Sequence, residues 1–211
     1  MLNIRGLSQE EVQKHVNTAD KTLRPGNRIS ISLINGPLNF VVSSPPLRLY
    51  GLCRQLRKAK SASKPSGDQD GTAQITTRYL PVTVPFHNEY LQDALGLLQK
   101  DLEKLTIDAS QLRLPVHSTK TGRDLREEMS GRDIVPELCR LITLDILDWP
   151  KASEFQGATH ALDFGPGGTH GIGALTSSNR NDDGGNAMRV VLMGTVSGKS
   201  TKIGYQHELF S

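Results

Sequence analysis

The sequence is poor in cysteine and in aromatic residues. Cys53 and Cys139 are the two cysteines among 211 residues, and each lies within a helix-like pattern. We therefore expect reduced thiols in a core and a reducing, cytoplasmic compartment. Aromatic residues make up 5% of the chain, and lysine and arginine are spread along it. Without a basic stripe or a stacking platform, we expect no nucleic-acid partner.

Long apolar runs are also missing. No stretch approaches the roughly 18 apolar residues that a membrane span needs, and the N-terminal residues lack the basic and apolar regions of a signal peptide. We therefore expect a soluble protein with no membrane partner. The sequence also has no internal repeat and no spacing of residues typical of metal ligands, so no metal site is predicted.

The composition is that of a globular protein. Hydrophobic residues make up 36% and charged residues 22% of the chain. A chain of this length can bury a core as one domain, or as a domain with a small subdomain.

The first part of the chain predicts a ferredoxin-like unit. Its pattern is strand, helix, strand, strand, helix and strand, which is a split βαβ unit. The strands are predicted at Leu2–Arg5, Arg28–Ile34, Asn39–Ser43 and Thr76–Val82, and the helices from the capping box Ser8–Glu11 to Leu23 and from Pro45–Pro46 onward. Residues Ser61 to Ala73 are polar and without periodicity, which predicts a flexible surface loop.

The second part of the chain alternates helices and strands. Leu91 to Leu105 carries leucines every three or four residues, which predicts an amphipathic helix. The other elements are predicted as a strand at Gln111–His117, a helix at Arg132–Arg140 capped by Ser130, a short helix to Phe155, a buried strand at Thr159–Phe164, a short helix to about Leu175 and a strand at Met188–Met193. The tail from Gly194 onward shows no clear element.

His87 is the residue that the sequence places most suggestively. The extended apolar run Tyr79–Val84 stops at Pro85, and a helical pattern begins just after His87. A junction between a strand and a helix can fix an imidazole at the rim of a sheet. Since the unperturbed pKa of histidine lies near neutral pH, His87 is a candidate general base. The alternative is a histidine that caps the helix or is simply buried.

Five blocks of sequence resemble one known family, in that family's order. Residues Pro81–His87 resemble the second signature block of malonyl/acetyl-CoA:acyl-carrier-protein transacylases. Together the blocks resemble the later part of the acetyltransferase (starter acyltransferase) domain of the fungal type I fatty acid synthase beta subunit. They are Asn35–Ser43, Leu49–Lys60, Pro81–His87, Pro115–Gly122 and His160–Gly168. The likeness covers nearly the whole chain.

The resemblance implies an α/β (α+β) architecture. Residues 1–82, with the loop 61–73, would form a ferredoxin-like small subdomain. Residues 83–196 would form the C-terminal portion of an α/β-hydrolase-like acyltransferase core, and residues 197–211 a linker toward a following domain. The implied activity is the transfer of an acetyl or other starter acyl group from coenzyme A to acyl carrier protein through a seryl ester.

The resemblance also assigns roles to individual residues. His87 would be the catalytic base, and a backbone carbonyl after Arg140 would hold its other ring nitrogen; Leu141 is the first choice, with Ile142 left open. A triad carboxylate at Asp145 or Asp148 is not required. Asn35 and Phe86 would contact the substrate, although Asn35 could equally be a plain turn residue and Phe86 an ordinary core aromatic.

The resemblance names partners as well. Acetyl-CoA or another acyl-CoA would be a substrate, with no bound cofactor. The protein partners would be acyl carrier protein, the remainder of the beta subunit and the alpha subunit. The formal net charge of +3 would weakly favour such anionic partners.

One expected motif does not occur. The family's nucleophile is a serine in a Gly-x-Ser-x-Gly elbow, and these 211 residues contain no such sequence. We therefore expect the second half of a catalytic domain, unable to turn over alone. Two alternatives stay open: a non-catalytic remnant that serves as an assembly or interaction module, and part of a starter acyltransferase of a fungal secondary-metabolite (polyketide precursor) synthase.

Two glycine-containing segments approach nucleotide-binding motifs without matching them. Counted from Gly165, the sixth position of a dinucleotide fingerprint is His170 rather than glycine. Gly198–Thr201 lacks the glycine that a P-loop needs five residues earlier, where Met193 stands. A nucleotide-dependent enzyme is thus a third possibility, which rests on these two partial matches alone. We expect Gly165, Gly167 and Gly168 to form a structural turn near the active site.

Overall fold

The computed structural model describes residues 1–21, 28–62, 74–155, 157–181, 188–194 and 203–209. It contains two compact units, Met1–Asp148 and Trp149–Ser211. Most of the predicted loop 61–73 and all of Gly198–Thr201 lie outside the described residues. The predicted domain boundaries at residues 82 and 196 stay predictions.

The first unit begins with a four-stranded antiparallel sheet covered by two helices. Its elements are β1 (Leu2–Arg5), α1 (Gln9–Lys21), β2 (Ser30–Gly36), β3 (Asn39–Ser43), α2 (Pro46–Ala62) and β4 (Thr76–Tyr79). The strand order is β4-β1-β3-β2, and each neighbouring pair is antiparallel. This order confirms the ferredoxin-like prediction.

Local sequence signals explain why these helices form. The Ser8 amide donates to Glu11 Oε2 at 2.8 Å and the Glu11 amide to Ser8 Oγ at 3.3 Å, which is the capping box predicted for α1. Pro46 opens α2 at a position that needs no amide donor. The apolar faces of both helices meet one face of the sheet. The resulting core contains Leu2, Ile4, Val12, Val16, Phe40, Val42, Leu49, Leu52 and Leu56.

The rest of the first unit is largely helical. Its elements are a 3₁₀ turn (Glu89–Leu91), α3 (Gln92–Asp101), a second 3₁₀ turn (Ala109–Gln111), α4 (Leu125–Glu128), α5 (Val135–Thr143) and β5 (Leu147–Asp148). Leu95 of α3 packs with Val135 and Cys139 of α5 in a second apolar cluster. β5 pairs in parallel with β2, so it extends the sheet to five strands and brings the end of α5 to the β2 edge.

Two predictions in this region are wrong. Residues 111–117 do not form a strand: a 3₁₀ turn ends at Gln111, and the strand-like pairing described at His117 is an isolated bridge with Asp124. The carboxylates of Asp108 and Asp124 accept hydrogen bonds from nearby backbone amides, and such local bonds compete with a sheet. α5 begins at Val135 rather than near Arg132, because Asp133 accepts from the amides of both Ile107 and Val135.

The second unit contains a three-stranded parallel sheet. Its elements are α6 (Trp149–Ala152), β6 (His160–Asp163), a 3₁₀ turn (Gly168–His170), α7 (Ile172–Asn181), β7 (Arg189–Leu192), β8 (Ile203–Tyr205) and a last 3₁₀ turn (Gln206–Leu209). The strand order is β6-β7-β8. β6 is partly exposed rather than buried as predicted, with Leu162 46% exposed.

The sequence pattern missed β8. The strand is three residues long, too short for a periodic signal. It is held by contacts from outside itself: Arg189 pairs with Glu208 at 2.7 Å, and a Glu208 oxygen accepts from the Tyr205 amide. Within the described residues, no helix is long and apolar enough to cross a membrane, and no group of three or more potential metal ligands is found.

Candidate active site

His87 lies in a sharp turn between β4 and the 3₁₀ turn at Glu89–Leu91. Its backbone adopts a left-handed conformation with φ of 58°. That conformation costs about 1–2 kcal/mol for a residue with a side chain, although histidine tolerates it better than branched residues do. A strained backbone at a chemically versatile side chain is a recurring feature of functional sites.

Asn88 anchors this turn from three directions. Its amide donates to the carbonyl of Thr143 at 2.9 Å, at the end of α5. Its side-chain amide donates to Ser30 Oγ of β2, and its Oδ1 accepts from the Tyr90 amide at 3.1 Å as the cap of the 3₁₀ turn. Because Asn88 is buried, these bonds tie the His87 turn firmly to β2 and to α5.

The end of α5 supplies the partner of the His87 ring. The amides of Leu144 and Asp145 both donate to the carbonyl of Arg140, at 2.9 and 3.0 Å. The last carbonyls of a helix have no partner within it, so they can accept from other groups. Nδ1 of His87 donates to one of the carbonyls beyond the helix, that of Asp145, at 2.9 Å.

Leu141, the predicted acceptor, also acts on the ring. The backbone carbonyls of Asp145 and Leu141 both raise the pKa of His87, and the charge of Asp145 raises it further. Burial is the larger effect and lowers the pKa of His87 below its ordinary value. The structure thus adds Asp145 as the residue whose carbonyl bonds Nδ1, while the role given to Leu141 stays a prediction.

This hydrogen bond fixes the tautomer of the neutral ring. A carbonyl oxygen can only accept, so Nδ1 must carry the proton. Nε2 of the neutral ring then holds the lone pair. A ring whose pKa is lowered and whose Nε2 is unprotonated is suited to accept a proton near neutral pH.

A cavity of about 790 Å³ lies beside His87 in the first unit. His87 and Asn88 line it together with Ser30 and Ile34 of β2 and with Leu144 after α5. Polar and charged residues of α1 also line the cavity, together with Arg28 and Arg48. The volume is within the range of small-molecule sites.

Asn35 and Phe86 each lie next in sequence to a residue that lines this cavity. Ile34 and His87 are among the described lining residues, but Asn35 and Phe86 are not. Asn35 is the extra residue of a β-bulge, because Ile34 pairs with Phe40 and Gly36 with Asn39. It is therefore part of β2 rather than of the tight turn. Their predicted contacts with substrate stay predictions.

The glycine turn belongs to the second unit, and one carboxylate explains the glycines at positions 165 and 173. Asp163 accepts from the Gly165 amide at 2.8 Å and from the Gly173 amide at 2.9 Å. A Cβ at Gly165 would lie 2.9 Å from one Asp163 oxygen, and a Cβ at Gly173 would lie 2.5 Å from the other. Amides that bind Asp163 do not bind a phosphate, so this contact favours the structural turn. The predicted nearness of Gly165, Gly167 and Gly168 to the active site stays a prediction.

Sequence reasoning missed two residues of the site. Asn88 had a usable signal, because asparagine immediately before a helical pattern is a preferred cap. Asp145 had none, since it reaches His87 through its main chain across 58 residues of sequence.

Relatives of known sequence cover the whole chain. It is 43% identical over 215 residues to the fatty acid synthase beta subunit TOXC of Cochliobolus carbonum, and 40% identical over 220 residues to the fatty acid synthase subunit beta of Saccharomyces cerevisiae. Each alignment covers 100% of this chain and 10% of the relative. The chain therefore spans about one tenth of the length of the curated relatives it matches. No family model matches it.

Solved structures share the fold at low sequence identity. The malonyl-CoA:acyl carrier protein transacylase of Clostridium perfringens matches with a TM-score of 0.68 and 19% identity, over 92% of this chain and 52% of that one. The acyltransferase domain from the second module of the salinomycin polyketide synthase matches with a TM-score of 0.64 and 19% identity, over 90% and 38%. At this identity the likeness establishes the fold alone.

Proposed function

The chain belongs to the fungal fatty acid synthase beta subunit family, and from that premise we propose that it is the later part of an acyltransferase domain in which His87 is the general base. The reaction would move an acetyl or other starter acyl group from coenzyme A to acyl carrier protein. The shared fold with transacylases and acyltransferase domains supports this assignment.

The proposed chemistry has two matching halves. Nε2 of His87 accepts the proton of a serine hydroxyl as its oxygen attacks the acyl thioester, and the departing coenzyme A thiolate takes that proton from the ring. In the second half Nε2 accepts a proton from the thiol of the carrier protein, whose sulfur attacks the seryl ester. The ring then returns the proton to the serine oxygen. One base can serve both halves because an imidazole can accept a proton from the attacking group and then give it to the leaving group near neutral pH.

One observation carries the proposal: the Nδ1 of His87 donates to the Asp145 carbonyl while the residue lines a cavity. The bond leaves Nε2 as the acceptor, and the end of α5 holds the ring without a triad carboxylate. A histidine that was merely buried or capping would not need a left-handed backbone.

The attacking serine would come from outside these residues, since they contain no Gly-x-Ser-x-Gly sequence. We therefore propose that the chain alone does not turn over. Acyl-CoA would be a substrate, and no bound cofactor is required by this chemistry. Acyl carrier protein, the remainder of the beta subunit and the alpha subunit would be the partners, in the cytoplasm.

A chimera tests the proposal directly. This chain would replace the corresponding segment of the S. cerevisiae subunit, and radiolabelled acetyl-CoA would measure formation of the acyl-enzyme. We expect the chimera to load acetyl and the substitution His87→Ala to slow loading by about 10²–10⁴-fold, the usual contribution of general acid–base catalysis. The isolated chain should take up no label.

His15→Gln provides a matched control. Burial lowers the pKa of His15 as it does that of His87, but His15 is not among the residues described as lining the His87 cavity. It should load at nearly the unsubstituted rate. Unchanged loading by the His87→Ala chimera would refute the role of the base. Labelling of the isolated chain at a site lost on His87→Ala would refute the proposal that the nucleophile lies elsewhere.

A non-catalytic assembly module is the alternative that one observation favours, namely the missing nucleophile motif. In that case the chimera would assemble but would load no acetyl, with or without His87. The alternative of a starter acyltransferase for secondary metabolites shares the same chemistry. Loading the chimera with acyl-CoA thioesters of increasing chain length would separate it from an acetyl-specific domain.

A further inference from the structure

Asp145, whose carbonyl bonds the candidate base, also carries a buried carboxylate. Its side chain is 10% exposed, and Oδ1 lies 3.1 Å from Lys120 Nζ and 3.0 Å from Arg140 Nη2. Oδ2 is buried and has no hydrogen-bond partner among the described residues. One carboxylate oxygen thus holds two cations, and both bonds are charge-assisted.

The main chain of Asp145 is held at two further points. Its amide donates to the Arg140 carbonyl at 3.0 Å, and its carbonyl accepts from Nδ1 of His87 at 2.9 Å. Arg140 therefore binds both the amide and the carboxylate of Asp145. A shift of the Asp145 α-carbon that carried its carbonyl away from His87 would strain the bonds of the amide and of the carboxylate.

Lys120 brings a third segment into the same arrangement. It lies in the turn after Val116, where Ser118 Oγ accepts from the Lys120 amide at 3.3 Å. The carbonyl of Thr119 in the same turn accepts from the Asp148 amide at 2.8 Å. The turn thus approaches both ends of the segment 145–148, and the ion pair with Lys120 fixes the end nearest His87.

We propose that Lys120, Arg140 and the carboxylate of Asp145 form a positioning clamp for His87. This Asp145 clamp holds the carbonyl of Asp145 so that it accepts from Nδ1, which keeps Nε2 available as the base. The three residues are positioning residues, since they act through the Asp145 carbonyl. The inference rests on the proposed role of His87, but its first effect is on the tautomer of a ring and not on acyl transfer.

The contacts distinguish a clamp from two other roles. A triad carboxylate would bond the imidazole itself, whereas Oδ1 bonds Lys120 and Arg140, and His87 bonds the carbonyl. A stabilising role alone is a weak explanation, because the cost of burying a charge offsets much of the gain from pairing it. Control of the position of the Asp145 α-carbon, and with it of the carbonyl next to a functional side chain, accounts for all three bonds.

Nuclear magnetic resonance of the full 211-residue chain, labelled with ¹⁵N-histidine, tests the clamp. Above its pKa, the unsubstituted His87 should be mainly the Nδ1–H tautomer. Lys120→Met and Arg140→Met should each shift the ratio toward Nε2–H, by about five-fold if the lost bond has ordinary net strength. Lys120→Arg should show the same ratio as the unsubstituted chain, because it keeps a cation at position 120.

Arg126→Met is the matched control. Arg126 pairs with Asp124 at 2.8 Å, and the carboxylate of that pair is also 10% exposed, but the pair makes no hydrogen bond to His87 among the described contacts. It should leave the ratio of tautomers unchanged.

Several results would overturn the proposal. The Nε2–H tautomer in the unsubstituted chain would do so, and so would an unchanged ratio in both clamp variants. Lys120 is 46% exposed on its side chain, so Lys120→Met decides the question if Arg140→Met does not fold. If the chain is too poorly soluble for nuclear magnetic resonance, the rate of carbethoxylation of His87 can be measured by mass spectrometry as a function of pH instead. An equal rate in Lys120→Met and in the unsubstituted chain at every pH would refute the clamp.

The outcomes separate the clamp from the proposed function. A tautomer that depends on the clamp, together with a chimera that loads acetyl without His87, would support the inference and refute the function. A tautomer that does not depend on the clamp, together with a chimera that loads acetyl only with His87, would refute the clamp and leave the proposed function standing.

Discussion

The side-chain amide of Asn88 donates to Ser30 Oγ, so the residue after His87 is bonded to a strand of the ferredoxin-like sheet. The same residue binds the end of α5 through its amide. The position of the candidate base therefore depends on both the sheet and the helical part of the first unit, although His87 lies in a turn outside both.

The substitution Asn88→Ala should destabilise the chain by about 1–3 kcal/mol. It removes a cap and leaves the half-buried hydroxyl of Ser30 without its donor. Urea denaturation measures the loss as a lower midpoint. Asn17→Ala is the control: Asn17 lies on the exposed face of α1, where alanine is the better helix former, so its midpoint should not fall. Equal midpoints for the two variants would contradict the role of Asn88.

The backbone of His87 predicts an unusual order of stability. Alanine at φ of 58° carries the left-handed cost that glycine avoids, so His87→Gly should be about 1 kcal/mol more stable than His87→Ala. At an exposed position of α1 the order should reverse, with Gln13→Ala about 1 kcal/mol more stable than Gln13→Gly. Urea denaturation of the four variants checks both orders. A His87 pair that follows the Gln13 order would show that the backbone there is not left-handed.

The ferredoxin-like region was predictable because its signals are local. The Ser8 and Glu11 cap, the proline at the start of α2 and the apolar stripes each act within a few residues of themselves. The region from residue 105 to 134 was not predictable in the same way. There Asp108, Asp124 and Asp133 bind backbone amides, and a sequence pattern does not show which amide a carboxylate will choose.

The candidate site divides along the same line. His87 could be proposed from a local junction between an extended run and a helical pattern. Its partner could not, because the acceptor is a main-chain oxygen whose direction depends on how α5 ends. Arg140 accepts from both Leu144 and Asp145 there, and the Asp145 carboxylate is bonded to Lys120. Every residue has a main-chain carbonyl, so the residue type at position 145 does not indicate that this one will bond His87.

The lowered pKa of His87 predicts how stability varies with pH. Burial lowers the pKa in the folded state, so the unfolded chain binds more protons as the pH falls below about 6.5. The stability that depends on His87 should therefore be full above about pH 7.5, fall as the pH is lowered through about 6.5, and level off below the folded pKa. Urea midpoints measured from pH 8 to pH 5 check this prediction.

Asp145 is the charged group identified as acting on His87, and its effect opposes but does not exceed that of burial. His15 contributes to the same pH range, because burial also lowers the pKa of its ring. The amino group of Met1, whose pKa is also lowered by burial, adds a slope that begins nearer pH 8. The variants His87→Asn and His15→Gln should each remove part of the slope through about pH 6.5 and leave the part that comes from Met1. A slope through about pH 6.5 that is as steep in the double variant as in the unsubstituted chain would contradict the assignment.

The glycine turn of the second unit gives the last prediction. Gly173→Ala should lower the melting temperature, because the new Cβ would lie 2.5 Å from Asp163 Oδ2 and would push that carboxylate away from the Gly173 amide. Strain of this kind usually costs about 1–3 kcal/mol. Trp149 is the single tryptophan and donates from Nε1 to Thr176 Oγ1 of α7, so its fluorescence reports on this helix. Gly96→Ala is the control: apart from its chain neighbours and the nearby backbone of its own helix, no atom lies within 4 Å of the added Cβ. Alanine also favours the interior of α3, so the melting temperature read by circular dichroism should rise. A Gly173→Ala variant that melts at the original temperature would show that Asp163 does not require glycine there, and the turn would again be open to a binding role.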